Sequence, residues 1–214
     1  MRQNTLIKIV LGAVGIGALG VLFVRSALNV ASEPYSINRA DLSQWTVALD
    51  PAPSVSGVWL ALRPPDQMAP PLFSQIFRRS GQSLSGPDPV SMPLLLKGEF
   101  DGAVVGHFSA ESLLDLAKSG SLESLQPKPL CLASRRVSQP GSTREVYFVR
   151  FDHPAVGEFR RQLAERLATA GVTSFNPLAV SPVIIVAATD AGFSSWLPLQ
   201  GTPTDDCLAP IDVG

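Results

Sequence analysis

His107 and Ser109 stand two residues apart in VVGHFSAE, where a strand is expected to give way to a helix. An imidazole beside a hydroxyl could remove its proton and make a serine nucleophile for hydrolysis. The run is not G-x-S-x-G, though, and residues two apart at a strand end need not face one another. A hydrolase is therefore the minor reading. His153, in DHPAVGE, reads as the residue leading into a helix that begins at Pro154. The acid pairs Glu99 with Asp101 and Asp205 with Asp206 fall in turn-rich stretches expected to be exposed. Paired carboxylates matter for catalysis only where their surroundings split their pKa values. Neither pair has the alternating oxygen ligands of a calcium loop. GAVGIGALG lies inside an apolar run, so its glycines do not make a phosphate cradle. No catalytic residue, cofactor-binding residue or metal ligand is assigned, no cofactor is expected, and the chain is expected not to be an enzyme.

The two cysteines, Cys131 and Cys207, are an even pair, most simply one disulfide formed in an oxidising compartment. A metal site that adds His107 and His153 lacks the short paired spacing of zinc motifs. Arginine is unevenly spread. Arg135, Arg136, Arg144, Arg150, Arg160, Arg161 and Arg166 fall in one segment that contains no lysine. Arginine is favoured at interfaces because its planar fork pairs with carboxylates and stacks on aromatic rings. Arg135, Arg136, Arg160 and Arg161 are accordingly expected on a partner surface, with solvated strand and helix faces as the alternative.

These residues need a location, and the first thirty positions supply one. Ile9 to Val24 carries no charged side chain. Counted from Leu6, the span has about 19 residues, roughly 28 Å of helix, against a hydrocarbon core of ~30 Å. Ala13, Gly17 and Gly20 share one helical face, where small side chains let another membrane helix approach closely. Val30-Ala31-Ser32 would suit a signal peptidase, so cleavage is the alternative to a retained anchor. Either way the rest of the chain leaves the cytoplasm. Arg2 and Lys8 favour a cytoplasmic N-terminus, blunted by Arg25 just past the span. Of 17 basic and 18 acidic residues, those three belong to this segment, so the exported part is mildly acidic and no nucleic-acid partner is expected.

The organisation expected is an anchor over residues 1–25, a tether over 26–44, and an α+β domain over 45–214. VSGVWLALR, PLCLASRRV, REVYFVRF and SPVIIVAAT read as strands. PPLFSQIFRRSG, SAESLLDLAKSG and HPAVGEFRRQLAERLATAG read as helices, each stopped by glycine. MPLLLKGEF and DGAVVGHF read as strand material broken near Gly98. DAGFSSWLPL is expected to open with a helical turn. TVALDPAPSVSGVWLALRPPD also lines up with CLASRRVSQPGSTREVYFVRFDHP, and Asp88-Pro89 with Asn176-Pro177 at the same offset. The expected fold is thus an antiparallel sheet with helices on one face, with duplicated ββαβ units over 45–128 and 129–214. Residues 101–189 can equally be read in the ferredoxin-like order β-α-β-β-α-β.

The function expected is a non-catalytic, single-pass subunit of the inner (cytoplasmic) membrane. Its C-terminal domain, in the periplasm or outside, would help assemble or stabilise a larger complex through other membrane subunits and the lipid bilayer. The alternative is an extracytoplasmic binding module for a small molecule or peptide, with its pocket between the two repeats. N-terminal sequencing of the mature protein should begin at Met1 or Arg2. A start at Glu33 would overturn the retained anchor while leaving export intact.

Overall fold

The computed structural model describes residues 34–199 and 207–214. The expected anchor with Ala13, Gly17 and Gly20, and the Asp205–Asp206 pair, lie outside them. Among the described residues no helix is long and apolar enough to cross a membrane.

The domain is a mixed α+β fold of two sheets and three main helices. Strands β1 (Tyr35–Ile37), β2 (Thr46–Leu49), β3 (Val58–Arg63) and β4 (Met92–Leu96) come from the first half. The second half supplies β5 (Lys128–Gln139), β6 (Ser142–Asp152), β7 (Val183–Ala188) and β8 (Cys207–Val213). The main helices are α1 (Ala69–Ser80), α2 (Ala110–Ser119) and α3 (Pro154–Thr169). One sheet runs β2-β3-β4 and the other β1-β8-β5-β6-β7. Every pairing is antiparallel except β1 with β8.

The order β2-β3-α1-β4 recurs as β5-β6-α3-β7, with the same neighbour pairing. The helices, however, cross between the halves. α1 packs on β1 and β7, while α3 packs on β4. Gln75 of α1 fastens the first contact, accepting from Ser36 N–H at 3.0 Å and donating to Ser36 O at 3.2 Å. One continuous core results, from Leu60 and Leu62 on β3, through Leu72, Ile76, Leu113, Phe159 and Leu163 on the helices, to Ile184 on β7. Each such side chain taken fully out of water contributes about 1.5–3 kcal/mol. The opposite face of β5-β6-β7 is also covered. There Phe148, Val183 and Ile185 pack under Trp196 and Leu199 from the segment after β7, so β6 and β7 are buried on both faces.

Helix limits follow local chemistry. Pro70 and Pro71 open α1, where missing N–H groups cost nothing, and Gly81 ends it at φ +63°. Ser109 caps α2, its Oγ accepting from Ser112 N–H at 3.1 Å.

Three expectations change. DGAVVGHF is not a strand: Lys97–Glu99 is a short helix and Phe100–Val104 a π-helical turn closed by Val105 N–H to Phe100 O. Glu99 accepts from Leu96 N–H, an ion pair joins Lys97 to Asp101, and Phe100 stacks on Trp59 at 3.9 Å. These side-chain contacts outweigh the apolar run's strand propensity. The ferredoxin-like order over 101–189 therefore loses its first strand. Residues 35–44, expected in a tether, enter the fold as β1 and a 3₁₀ turn that bury Ile37 and Leu42. The strands also form two sheets where one was expected.

Cys131 and Cys207 form a disulfide, with Cα atoms 5.8 Å apart, between the neighbouring strands β5 and β8. Closing a loop of 76 residues stabilises by about 4 kcal/mol in the chain-entropy description.

Candidate functional site

Where the ends of the two halves meet, a cavity of about 210 Å³ opens. Its floor is β7, through Val183 and Ile185. One wall is the β2–β3 connection, from Asp50 to Ser56; a second is the strap running from Pro87 to Pro93; the third carries Phe193 and Leu197. Benzene fits an apolar cavity of ~150 Å³, so this one has room for a single ring with a short substituent.

Each wall is held from behind. The β2–β3 connection makes one helical turn, Pro53–Ser56, and leaves it through Gly57 at φ +76°. A Cβ at Gly57 would lie 3.0 Å from Ser194 Cβ, so glycine is required both for conformation and for close approach. The strap is pinned where Ser85 and Ala188 exchange backbone hydrogen bonds of 2.8 Å, adding a one-residue rung to the edge of β7. The third wall hangs on Arg144. Its guanidinium grips Asp190 through two bonds of 2.9 Å, donates to Ser195 Oγ at 2.6 Å, and lies 4.8 Å over the Trp196 ring. That fork holds the Asp190 carboxyl below the usual carboxylate range. A broader, more open recess adjoins the cavity, sharing Leu197 and adding Gly57, Glu99 and Ala179.

In the cavity wall Val55, in the helical turn, is 70% exposed. Leu178, which precedes Ala179 of the adjoining recess, is 83% exposed. Leu178 does not sit on loose chain. Its N–H donates to Asn176 Oδ1 at 2.9 Å, and Arg160 holds the carbonyls of Asn176 and Pro177.

Arg160, expected on a partner surface, is fully buried. Its Nη2 meets Glu99 Oε1 at 2.6 Å and its Nη1 meets Glu99 Oε2 at 3.0 Å and Leu94 O at 2.9 Å. Glu99, read from sequence as exposed, is drawn in by this contact. Arg161 does lie on the surface, but its fork is engaged by Glu158 and Glu165 of its own helix. Arg136 is exposed and donates to Glu145 Oε2 at 2.9 Å; Arg135 is half-buried on the same strand. Burial raises the Glu145 carboxyl, but bonds from Arg136 and Gln82 more than offset this and hold it below its usual range. Tyr147, buried beside that charge, is pushed up to about 12.

The candidate nucleophile is not assembled. Ser109 Oγ is used by the cap of α2, His107 is exposed, and no hydrogen bond joins them. His153 is buried with Nε2 3.2 Å from Leu122 O, Nδ1 without a partner, and its imidazole held below the usual range by burial. The described residues contain no group of His, Cys, Asp and Glu able to hold a metal ion. Sequence reasoning allowed for a pocket between the two repeats but missed the residues that line it. The signals were Asp50-Pro51 and Asp88-Pro89, the two Asp-Pro steps of the first half, which both line it. In comparisons with known proteins, no family model, no curated protein and no solved structure matches the chain.

Neighbouring arginines on α3 should behave oppositely. Arg160→Ala leaves Glu99 and three carbonyls without their donor and should lose about 3–5 kcal/mol in denaturant unfolding. Arg161→Ala should melt within a few degrees of wild type. Equal melting of the two variants would overturn the burial of Arg160.

Proposed function

We propose that the exported domain is a non-catalytic binding module, held at the membrane by the N-terminal segment, whose cleft between the halves accepts an apolar group. The observation that carries this reading is the composite cavity, apolar in its floor and built from both halves, with every wall braced from behind. A pre-formed apolar pocket with a few polar groups is the usual form of a small-ligand site. Descent of both halves from one ββαβ unit would account for a cleft at their junction, since two copies of one unit meet there end to end. Ser109 is used for a helix cap, Cys131 and Cys207 for a crosslink, and His153 for a buried contact, while His107 stands exposed and apart from Ser109.

A second reading, an assembly subunit of a membrane complex, is favoured by Leu178. A large side chain 83% exposed on a braced turn suits an anchor for a protein partner. On that reading Leu178→Asp should leave melting unchanged yet release the full-length chain from larger assemblies in mild detergent.

For the leading reading, benzene titrated into the full chain in lipid nanodiscs should shift the methyl resonances of Val58, Val183 and Ile185 and leave core methyls such as Leu113 unmoved. Absence of those shifts would remove the cleft as a binding site.

A further inference from the structure

The cleft's ionisable groups are of one kind. Among the described residues, Asp50 and Asp88 are the only ionisable ones in its lining, which has no lysine, arginine or histidine and adds the hydroxyls of Ser56 and Ser91. Asp50 is more than nine-tenths buried. Its Oδ1 accepts from Ala52 N–H at 2.8 Å, and no ion pair or further hydrogen-bond donor reaches the carboxylate from the described residues. The second oxygen is not sealed from solvent, and the cavity that Asp50 lines is its route to a partner. A carboxylate removed from bulk water is stabilised by a cation that also donates hydrogen bonds.

Donors are scarce around it. Pro51, Pro87, Pro89 and Pro93 all line the cavity, and proline has a carbonyl but no N–H. Four N–H groups of the lining are already spent: Val55 and Ser56 bond to Ala52 O, Val58 to Ser56 Oγ, and Leu197 to Ser194 O. Phe193 adds an aromatic ring, which attracts cations by its face. Acceptors and apolar surface therefore dominate.

Resting on the reading of the cleft as a binding site, we infer that its ligand is a small cationic amphiphile. A primary ammonium meets Asp50, with Asp88 adding negative potential at the exposed side, and a compact apolar body lies over Val183 and Ile185. Anions are disfavoured, because nothing in the lining offsets their charge.

Three probes of matched size separate this inference from the reading beneath it: phenethylamine, n-propylbenzene and 3-phenylpropionate. Each is titrated against the full chain in nanodiscs and followed by the Val58, Val183 and Ile185 methyls. Phenethylamine should bind about tenfold more tightly than n-propylbenzene, as a charged hydrogen bond in a partly desolvated site provides. Phenylpropionate should bind weakest of the three. Asp50→Asn keeps an acceptor for Ala52 N–H but removes the charge, so it should bring the amine close to n-propylbenzene while leaving n-propylbenzene unchanged. Asp88→Asn, at an exposed position, should reduce the amine's advantage partially, and Asp115→Asn, outside the lining, should not alter it. Equal binding of amine and n-propylbenzene by wild type overturns the inference and leaves the cleft reading standing. Failure of all three probes overturns both.

Discussion

A guanidinium shut away from water governs how this domain is put together. Arginine carries five N–H donors and cannot shed its charge. At Arg160 all of them are taken: by both Glu99 oxygens and by the carbonyls of Leu94, Asn176 and Pro177. The Phe175 ring lies 4.8 Å from the same group. A charge at zero exposure is tolerable only when its partners are fixed, because a missing one leaves an uncompensated desolvation cost. The partners come from β4, from the short helix after it and from the turn before β7, while the arginine itself comes from α3. The pairing therefore fixes the second half's helix against the first half's edge strand.

That constraint propagates to the cleft. β4 and β7 lie side by side without a shared ladder, so the space between them depends on what holds them apart and together. Arg160 closes one side of this junction, and the Ser85–Ala188 rung closes the other. Pro93 of β4 and Ile185 of β7 face the cavity from the two strands. α1 packs on β1 of its own half and across onto β7, and α3 packs across onto β4, so each helix reaches the other half's sheet. A shared core and a cleft at the junction are two outcomes of one exchange.

Much of this was legible in the sequence where a local rule acts alone. Proline openings and glycine stops placed α1 and α3; an even cysteine pair gave the disulfide; the apolar run at β7 announced a strand, expected at the centre of its sheet and found at the edge. Failures occurred where a tertiary contact overrides the local signal. DGAVVGHF is apolar enough for a strand, but Trp59 stacking on Phe100 and the cap from Glu99 make it helical. Arg160 follows Phe159 and precedes Arg161 in what reads as a charged helix face. Only the position of Glu99, sixty-one residues away, turns it inward, and no periodicity encodes that. A pocket between the repeats was an expectation, but its lining was equally invisible, since it is gathered from four separate segments.

The electrostatic reading reverses for the same reason. In the sequence the arginine-rich segment is the conspicuous charged feature and invites an acidic partner. In the fold, Arg136 answers Glu145, Arg144 answers Asp190, Arg160 answers Glu99, and Arg161 answers Glu158 and Glu165. These cations are balanced by the protein's own carboxylates, and exposed pairs of this kind contribute little to binding or stability. Asp50 and Asp88 have no such partner among the described residues and stand in a cavity whose prolines withhold donors. The potential left for a ligand is therefore set by two aspartates that composition makes unremarkable. A chain that looks basic in its most conspicuous segment presents, at an apolar cleft lined by both halves, a site suited to a positive charge.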